Sequence, residues 1–370
     1  MTSCDVLVML QRRNLEHVID RILSHLGAIS QMSLALSSSS HYELVTNNKV
    51  ARKKISAWRR WMRRDPTTGT LFDKEGSIVT SLSVLANSVA FCLQDFTESS
   101  SSICVMDLDQ KAPPSRVLVA DYPVSLHSLS CSEELLVFLT VHHVTQCHVN
   151  VLCRRTKTRL SQFNPHPGHA KVTSLKLEGH LLVSGSESGS IVLTSLQCPS
   201  QPSTTHEISA SDAAVLDLSL QHFRIVSLSE DSTVRVWTTE ADLITTISAE
   251  NKNLSKMSVS WPFCIIAGLD IVLLWDLERG HQLQTLHTAS GQVPSVLSIN
   301  RHLIVVGDLT GSLSIWSLQD LTDGHSSEEN KTRNTLKCLD MQNVISGVCI
   351  LSGDKILLTG WNGKCCLLSF

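Results

Sequence analysis

From about Thr67 to the end of the chain, apolar and polar positions follow a strand rhythm. Short runs rich in Val, Ile and Leu alternate with turns of Ser, Gly and Asp. That pattern predicts an all-β region made of many short strands. Before it the rhythm is different. In LEHVIDRILSHLGAISQMSLAL, apolar residues fall at Leu15, Val18, Ile19, Ile22, Leu23 and Leu26, the spacing of an amphipathic helix, and Gly27 stops it. A second helix is predicted over Ser30 to Leu36 and a third from Val45 to Arg64. In the third, Ile55, Trp58, Trp61 and Met62 recur at three- and four-residue spacing and can bury one face while the Arg and Lys side chains stay in water.

The strand region repeats itself. SESGSIVLTSL (Ser186–Leu196), SEDSTVRVWTT (Ser229–Thr239) and DLTGSLSIWSL (Asp308–Leu318) each show a tight polar turn, then a strand with an apolar or Trp anchor near its end. ESSSSICVMDL (Glu98–Leu108), TQCHVNVLCRR (Thr145–Arg155), LDIVLLWDL (Leu269–Leu277) and WNGKCCLLSF (Trp361–Phe370) fit the same frame. The anchors are Met106, Leu152, Thr194, Trp237, Trp275, Trp316 and Leu368, spaced by 46, 42, 43, 38, 41 and 52 residues. The last interval is lengthened by a polar insertion, Asp320 to Arg333. A period near 40–45 residues with four strands per unit predicts a seven-bladed β-propeller over residues 66–370. The chain ends two residues past its last anchor, so the final sheet needs an outer strand from elsewhere, and Thr70 to Phe72 can supply it.

These motifs resemble the WD-repeat family, most clearly in DSTVRVW and LLWDL. The resemblance implies that recognition takes place on the face where the turns before the anchor strands gather. It places recognition residues in those turns and two positions before each anchor: Asn150, Val192, Arg235, Leu273 and Ser314, with Cys104 and Cys366 in the remaining blades. Trp361, in the turn Gly360-Trp361-Asn362-Gly363, joins them as a binding candidate, because a turn Trp on such a face suits a hot spot. Arg235 is the one basic residue among them. A desolvated phosphate needs several charge-assisted bonds, so a phosphate-reading face is not expected.

The stretch Leu15 to Val45 is similar to the F-box of ubiquitin-ligase substrate receptors that also carry WD repeats. It departs from that family in having Leu15-Glu16 for the usual Leu-Pro, and Ser37 to Ser40, His41 and Tyr42 where a basic residue and Trp are common. The resemblance implies three parts: an F-box-like helical unit (1–45), a basic linker helix (46–65) and the propeller (66–370). It implies a non-catalytic receptor, with Leu15, Val18, Ile22, Leu23, Leu26 and Met32 contacting a cullin-ligase adaptor and the propeller holding a protein substrate. The alternative is a WD-repeat scaffold with no ubiquitin-ligase link.

Composition narrows these readings. Apolar residues make up 42% and charged residues 18% of 370, too apolar for general disorder. The most apolar stretch, Trp261 to Trp275, contains Asp270 and is too short for a bilayer, so no membrane partner is expected. Asp5 precedes the first apolar run, the reverse of a secretory signal. The twelve cysteines are therefore expected as buried thiols of a cytoplasmic or nuclear protein. Eight basic residues and no acid lie between Lys49 and Arg64; outside that stretch, 23 basic residues face 34 acidic ones. The propeller is thus mildly acidic, and nucleic acid is not its expected partner.

Catalytic chemistry finds no framework. There is no P-loop, no Rossmann-type glycine pattern and no CxxC pair, so neither a cofactor nor structural zinc is expected. His142, His143, Cys147 and His148 have metal-ligand chemistry, but neighbouring strand residues point to opposite faces. His169 and Ser184 are expected to form a structural hydrogen bond between a Gly-His turn and a strand.

Overall fold

The computed structural model describes residues 67–86, 88–108, 114–120, 125–142, 146–166, 168, 170–249, 253–269, 271–288, 291–322, 335–337, 344–352 and 355–369, with two single positions, Ile19 and Asn48, before them. The helices expected over residues 15–64 and the positions Leu15, Val18, Ile22, Leu23, Leu26 and Met32 lie outside the described residues. Ile19, from the first of those helices, has helical backbone and is buried. The chain divides into two compact units, Met1–Gly69 with Leu368–Phe370, and Thr70–Leu367.

Seven four-stranded antiparallel sheets form the blades. Blade 1 is β2 (Ser77–Leu85), β3 (Ser88–Asp95), β4 (Ser100–Asp107) and β5 (Ser115–Ala120); blade 2 is β6 (Ser125–Cys131), β7 (Leu135–His142), β8 (Gln146–Cys153) and β9 (Arg159–Phe163). Blade 3 is β10 (Val172–Glu178), β11 (Leu181–Ser186), β12 (Ser190–Ser195) and β13 (Ser203–Ser209); blade 4 is β14 (Val215–Gln221), β15 (Arg224–Ser229), β16 (Thr233–Thr238) and β17 (Leu243–Ser248). Blade 5 is β18 (Lys256–Ser260), β19 (Phe263–Ala267), β20 (Ile271–Asp276) and β21 (His281–His287). Blade 6 is β22 (Pro294–Ile299), β23 (Leu303–Asp308), β24 (Ser312–Ser317) and β25 (Thr335–Lys337), with a short helix α1 (Leu318–Thr322) after β24. Blade 7 is β26 (Ile345–Ser352), β27 (Lys355–Gly360) and β28 (Lys364–Ser369), and β1 (Thr67–Asp73) is its outer strand.

Each expected anchor lies in the third strand of its blade, and β1 pairs with β28 as the strand count requires. The first strands β2, β6, β10, β14, β18, β22 and β26 touch in sequence, and β26 touches β2, which closes a seven-bladed ring.

The core is a set of layers between blades. Val226, Val236, Met257 and Trp275 join blades 4 and 5, and Val183, Leu193, Leu218 and Trp237 join blades 3 and 4. A blade is therefore covered on both faces, which accounts for third strands such as β12, β20 and β24 that are buried at consecutive positions rather than at alternate ones.

The innermost strands are also stitched by polar bonds. In blades 1, 3, 4, 6 and 7 the register slips by one residue near the start of the first strand, a repeated β-bulge. In three of them the bulged residue carries a hydroxyl that reaches the next blade. Thr80 Oγ1 donates to the Leu126 carbonyl at 2.6 Å, Thr173 Oγ1 to that of Val215 at 2.5 Å, and Ser295 Oγ to that of Ile345 at 2.7 Å. Amides of Leu129, Leu177 and Met257 donate to Ser81, Ser130 and Asp217 of the preceding blades. In blades 1, 3 and 6 the bulge thus frees a side chain from the sheet, and that side chain fixes the neighbour.

Candidate functional site

Antiparallel order decides which loops share a face. The turn between second and third strands and the connector between blades lie at one end of the sheets; the other two turns lie at the opposite end. The second-to-third-strand turns thus gather on one face.

On that face, four large apolar side chains stand out in water: Leu269 (57% exposed) in blade 5, Leu309 (45%) in blade 6, Trp361 (50%) in blade 7 and Phe96 (54%) in blade 1. Each sits in the turn after the second strand of its blade. Because blade 7 closes onto blade 1, these are four successive blades. In blades 3 and 4 the same place is held by Glu187 and Glu230, both exposed. One side of the face is apolar, and the turns on the other side carry carboxylates.

The turns are held rigidly from beneath. Asp308 Oδ1 accepts from the Thr310 amide at 2.8 Å, the Thr310 hydroxyl at 2.7 Å and the Ser312 amide at 2.9 Å. Asp95 Oδ1 does the same for the Thr97 amide and hydroxyl and the Glu98 amide. An inward carboxylate that gathers the turn's amides leaves the intervening Leu309 and Phe96 on the outer side. Trp361 is presented differently. Its amide donates to the Val344 carbonyl at 3.1 Å, and Gly363 closes the turn onto Gly360 with φ +73°.

Of the cations near this face, Arg235, Arg116 and Lys74 are occupied, while Lys171, exposed in the connector before blade 3, makes no ion pair among the described residues and donates its amide to Glu187 Oε1 at 3.4 Å. Arg235 lies with Nη2 3.2 Å from Asp231 Oδ2, and its Nη1 donates to Thr233 Oγ1. Asp231 also accepts from Ser211 Oγ at 2.8 Å. Burial pushes the Asp231 carboxyl up, but the bonds from Thr233 and Ser211 and the Arg235 charge outweigh it and hold it below the usual carboxylate range. Arg116 bonds Glu98 at 2.6 Å as well as Ser100 and Ser102, and Lys74 bonds Glu98 at 2.8 Å. Among the described residues, Glu187, Asp212 and Glu230 have no ion-pair partner. Phosphate would have to displace these acids, whereas a basic side chain would not.

Of the positions proposed from the repeat pattern, Trp361 is on the surface and Arg235 is partly so. Asn150, Val192, Leu273 and Ser314 are buried in the sheets, as are Cys104 and Cys366. Asn150 spends its amide on Thr140 Oγ1 at 2.9 Å. These residues offer no side-chain surface to a partner, because adjacent blades cover both faces of the third strand. The turn residues themselves were the informative positions, and the quoted motifs carry them: Glu187 in SES, Glu230 in SED, Leu309 in DLT, Leu269 in LDI and Trp361 in WNG, while Phe96 lies two residues before the quoted blade-1 motif.

His169 lies outside the described residues; among those described, His166 reaches Ser184, with Nε2 3.0 Å from Ser184 Oγ and Nδ1 2.9 Å from Ser190 Oγ. One expectation is corrected: the cysteines are not uniformly buried. Six of the ten described thiols are, but Cys131, Cys153 and Cys349 are half-buried and Cys198 is exposed. Among the described residues, no group of three or more His, Cys, Asp or Glu could hold a metal, and no helix is long and apolar enough to cross a membrane.

The fold is a seven-bladed β-propeller whose second-to-third-strand turns share one face. No protein-family model matches the chain, and no curated protein matches it. Among solved structures 1534 chains match. One is the crystal structure of the computationally designed Ika8 protein, 15% identical, with a TM-score of 0.59 over 81% of this chain and 99% of that one. At that identity the likeness shows the fold alone.

Proposed function

We propose that the chain is a non-catalytic interaction protein that holds a protein partner on the turn face of its propeller. The observation that carries this reading is the run of four exposed apolar turn residues, Leu269, Leu309, Trp361 and Phe96, in four successive blades. Isolated surface apolar residues are ordinary; corresponding ones in adjacent repeats form a surface. A rigid ring that presents such turns binds without having to order them first. The test compares partners captured by the full chain and by a Trp361→Ala/Leu309→Ser variant with the same thermal unfolding profile. Partners lost in the variant support the reading, and full retention of every partner sinks it.

The finer reading is a substrate-recognition subunit of a cullin-type ubiquitin ligase, in the cytoplasm or nucleus. Its support is the amphipathic spacing of Leu15, Val18, Ile22, Leu23, Leu26 and Met32 ahead of a propeller. In that arrangement one chain brings adaptor and substrate together and raises their effective concentration, with no chemistry of its own. Co-expression with the adaptor tests it. Recovery of the adaptor that is lost in Leu23→Asp/Leu26→Asp supports a receptor, and no recovery with the intact chain leaves the scaffold.

A further inference from the structure

The turn face is polar in one direction, and that asymmetry specifies its partner. Leu269, Leu309, Trp361 and Phe96 occupy blades 5, 6, 7 and 1. Across the ring, Glu187 opens the corresponding turn of blade 3 and Glu230 that of blade 4, while Asp212 lies in the connector between those blades. All three acids are exposed, and among the described residues none has an ion-pair partner. The nearby guanidinium of Arg235 is already committed to Asp231 and Thr233.

We propose that this face takes a protein segment that combines large apolar side chains with Lys or Arg, the apolar part seated on the Leu269–Leu309–Trp361–Phe96 arc and the basic part over Glu187, Asp212 and Glu230. The proposal rests on the reading of the turn face as the binding face. Charge complementarity carries it. Unpaired carboxylates attract and orient a cationic segment, and they repel an acidic or phosphorylated one before any contact forms. The apolar arc supplies the area that excludes water, and Trp361, in the third of the four blades, is its anchor. The two halves make different demands on solvent: attraction to the carboxylates is screened by salt, whereas apolar seating is not.

The experiment uses the full chain and a display library of random peptides, followed by labelled copies of the enriched peptides and a matched phosphoserine set. Enriched peptides are expected to combine large apolar residues with paired Lys or Arg. Their affinity falls at least about tenfold in Trp361→Ala/Leu309→Ser, and about tenfold in Glu187→Lys/Glu230→Lys at low salt, with the second loss shrinking as salt rises. Both variants alter exposed turn residues, and an unchanged thermal transition verifies their folds. Apolar peptides that need Trp361 but ignore the charge reversal overturn the partner chemistry and leave the binding face standing. Preference for phosphoserine peptides overturns it too. Peptides indifferent to both variants overturn the proposal and the face together, and a library with no enrichment overturns the proposal.

Discussion

Lys74 and Asp95 form an ion pair where the ring closes, with the ammonium nitrogen 2.5 Å from Asp95 Oδ2. Lys74 follows β1, the outer strand of blade 7, and Asp95 ends β3 of blade 1. The pair ties the first strand of the described propeller to the sheet that starts its circuit.

The Asp95 carboxylate is fully buried. Burial alone would raise its pKa, but bonds from Lys74, Thr97 and the Glu98 amide win and hold it well below the usual carboxylate range. A carboxyl with a depressed folded pKa stabilises the fold above its unfolded value of about 4, and that contribution disappears as pH falls below it. Asp95→Asn should lower stability at neutral pH by about 2 kcal/mol, because Lys74 loses its nearest counter-charge. The variant should also lose less stability than the wild type between about pH 4 and pH 2. Denaturant unfolding at a series of pH values measures both.

His166 acts in a different window. Burial lowers its pKa to about 4, against a smaller opposing effect of its bond to Ser184, so the folded protein keeps the ring neutral. Above about pH 6.5 it is neutral folded and unfolded alike; below that the unfolded chain takes a proton that the folded one refuses. Stability should therefore decline from about pH 6.5 to 4, by up to about 3 kcal/mol. His166→Gln should flatten that decline while lowering stability at pH 7, since Ser184 and Ser190 lose their shared partner. If the variant keeps the slope, another group causes it.

The repeats exposed the fold because corresponding anchors recur near the ends of the third strands, and Trp237, Trp275 and Trp316 mark the period directly. Ring closure was legible as well: Thr70 to Phe72, proposed as an outer strand, lies in β1, which pairs with β28. The binding surface was less legible. Alternation along a strand distinguishes two sheet faces, and in a propeller both faces are covered, so Leu273 and Val192 are as buried as the anchors beside them. In the loop before blade 3, the Gly-His pair draws attention to His169, and nothing in the sequence singles out His166, the described histidine that reaches Ser184.

Trp237 and Trp275 provide a matched pair. Trp237 Nε1 donates to Ser227 Oγ at 3.1 Å. In blade 5 the position of Ser227 is taken by Ile266, which faces Leu273 as Ser227 faces Arg235, and Trp275 Nε1 is buried with no partner. Both indoles are similarly buried. Replacing each by Phe removes comparable packing, but only Trp237→Phe also breaks a bond. That variant should cost about 1 kcal/mol more than Trp275→Phe, and Ser227→Ala should be destabilising by about 1–3 kcal/mol because it leaves the Trp237 donor unmet. Equal losses for the two Phe variants in chemical denaturation would mean that the Trp237 bond contributes nothing net.

Gly363 links stability to the binding face. At φ +73°, a side chain there is strained by the backbone alone, and an added Cβ would lie 2.1 Å from the Lys74 carbonyl oxygen. That neighbour is backbone, so it can move only by shifting the connector that follows β1. Gly280 is the control: its φ is +68°, yet nothing lies within 4 Å of an added Cβ. Gly280→Ala should therefore cost about 1 kcal/mol, the left-handed strain by itself, and Gly363→Ala at least about 2 kcal/mol more. The consequences for binding also separate them. Gly363 closes the turn that presents Trp361, so relieving the clash displaces that indole, whereas the Gly280 turn is at the opposite end of blade 5. Binding of an apolar–basic peptide should weaken in Gly363→Ala below its unfolding temperature and stay unchanged in Gly280→Ala. Retained affinity in a folded Gly363→Ala would show that the partner does not depend on the geometry of the Trp361 turn.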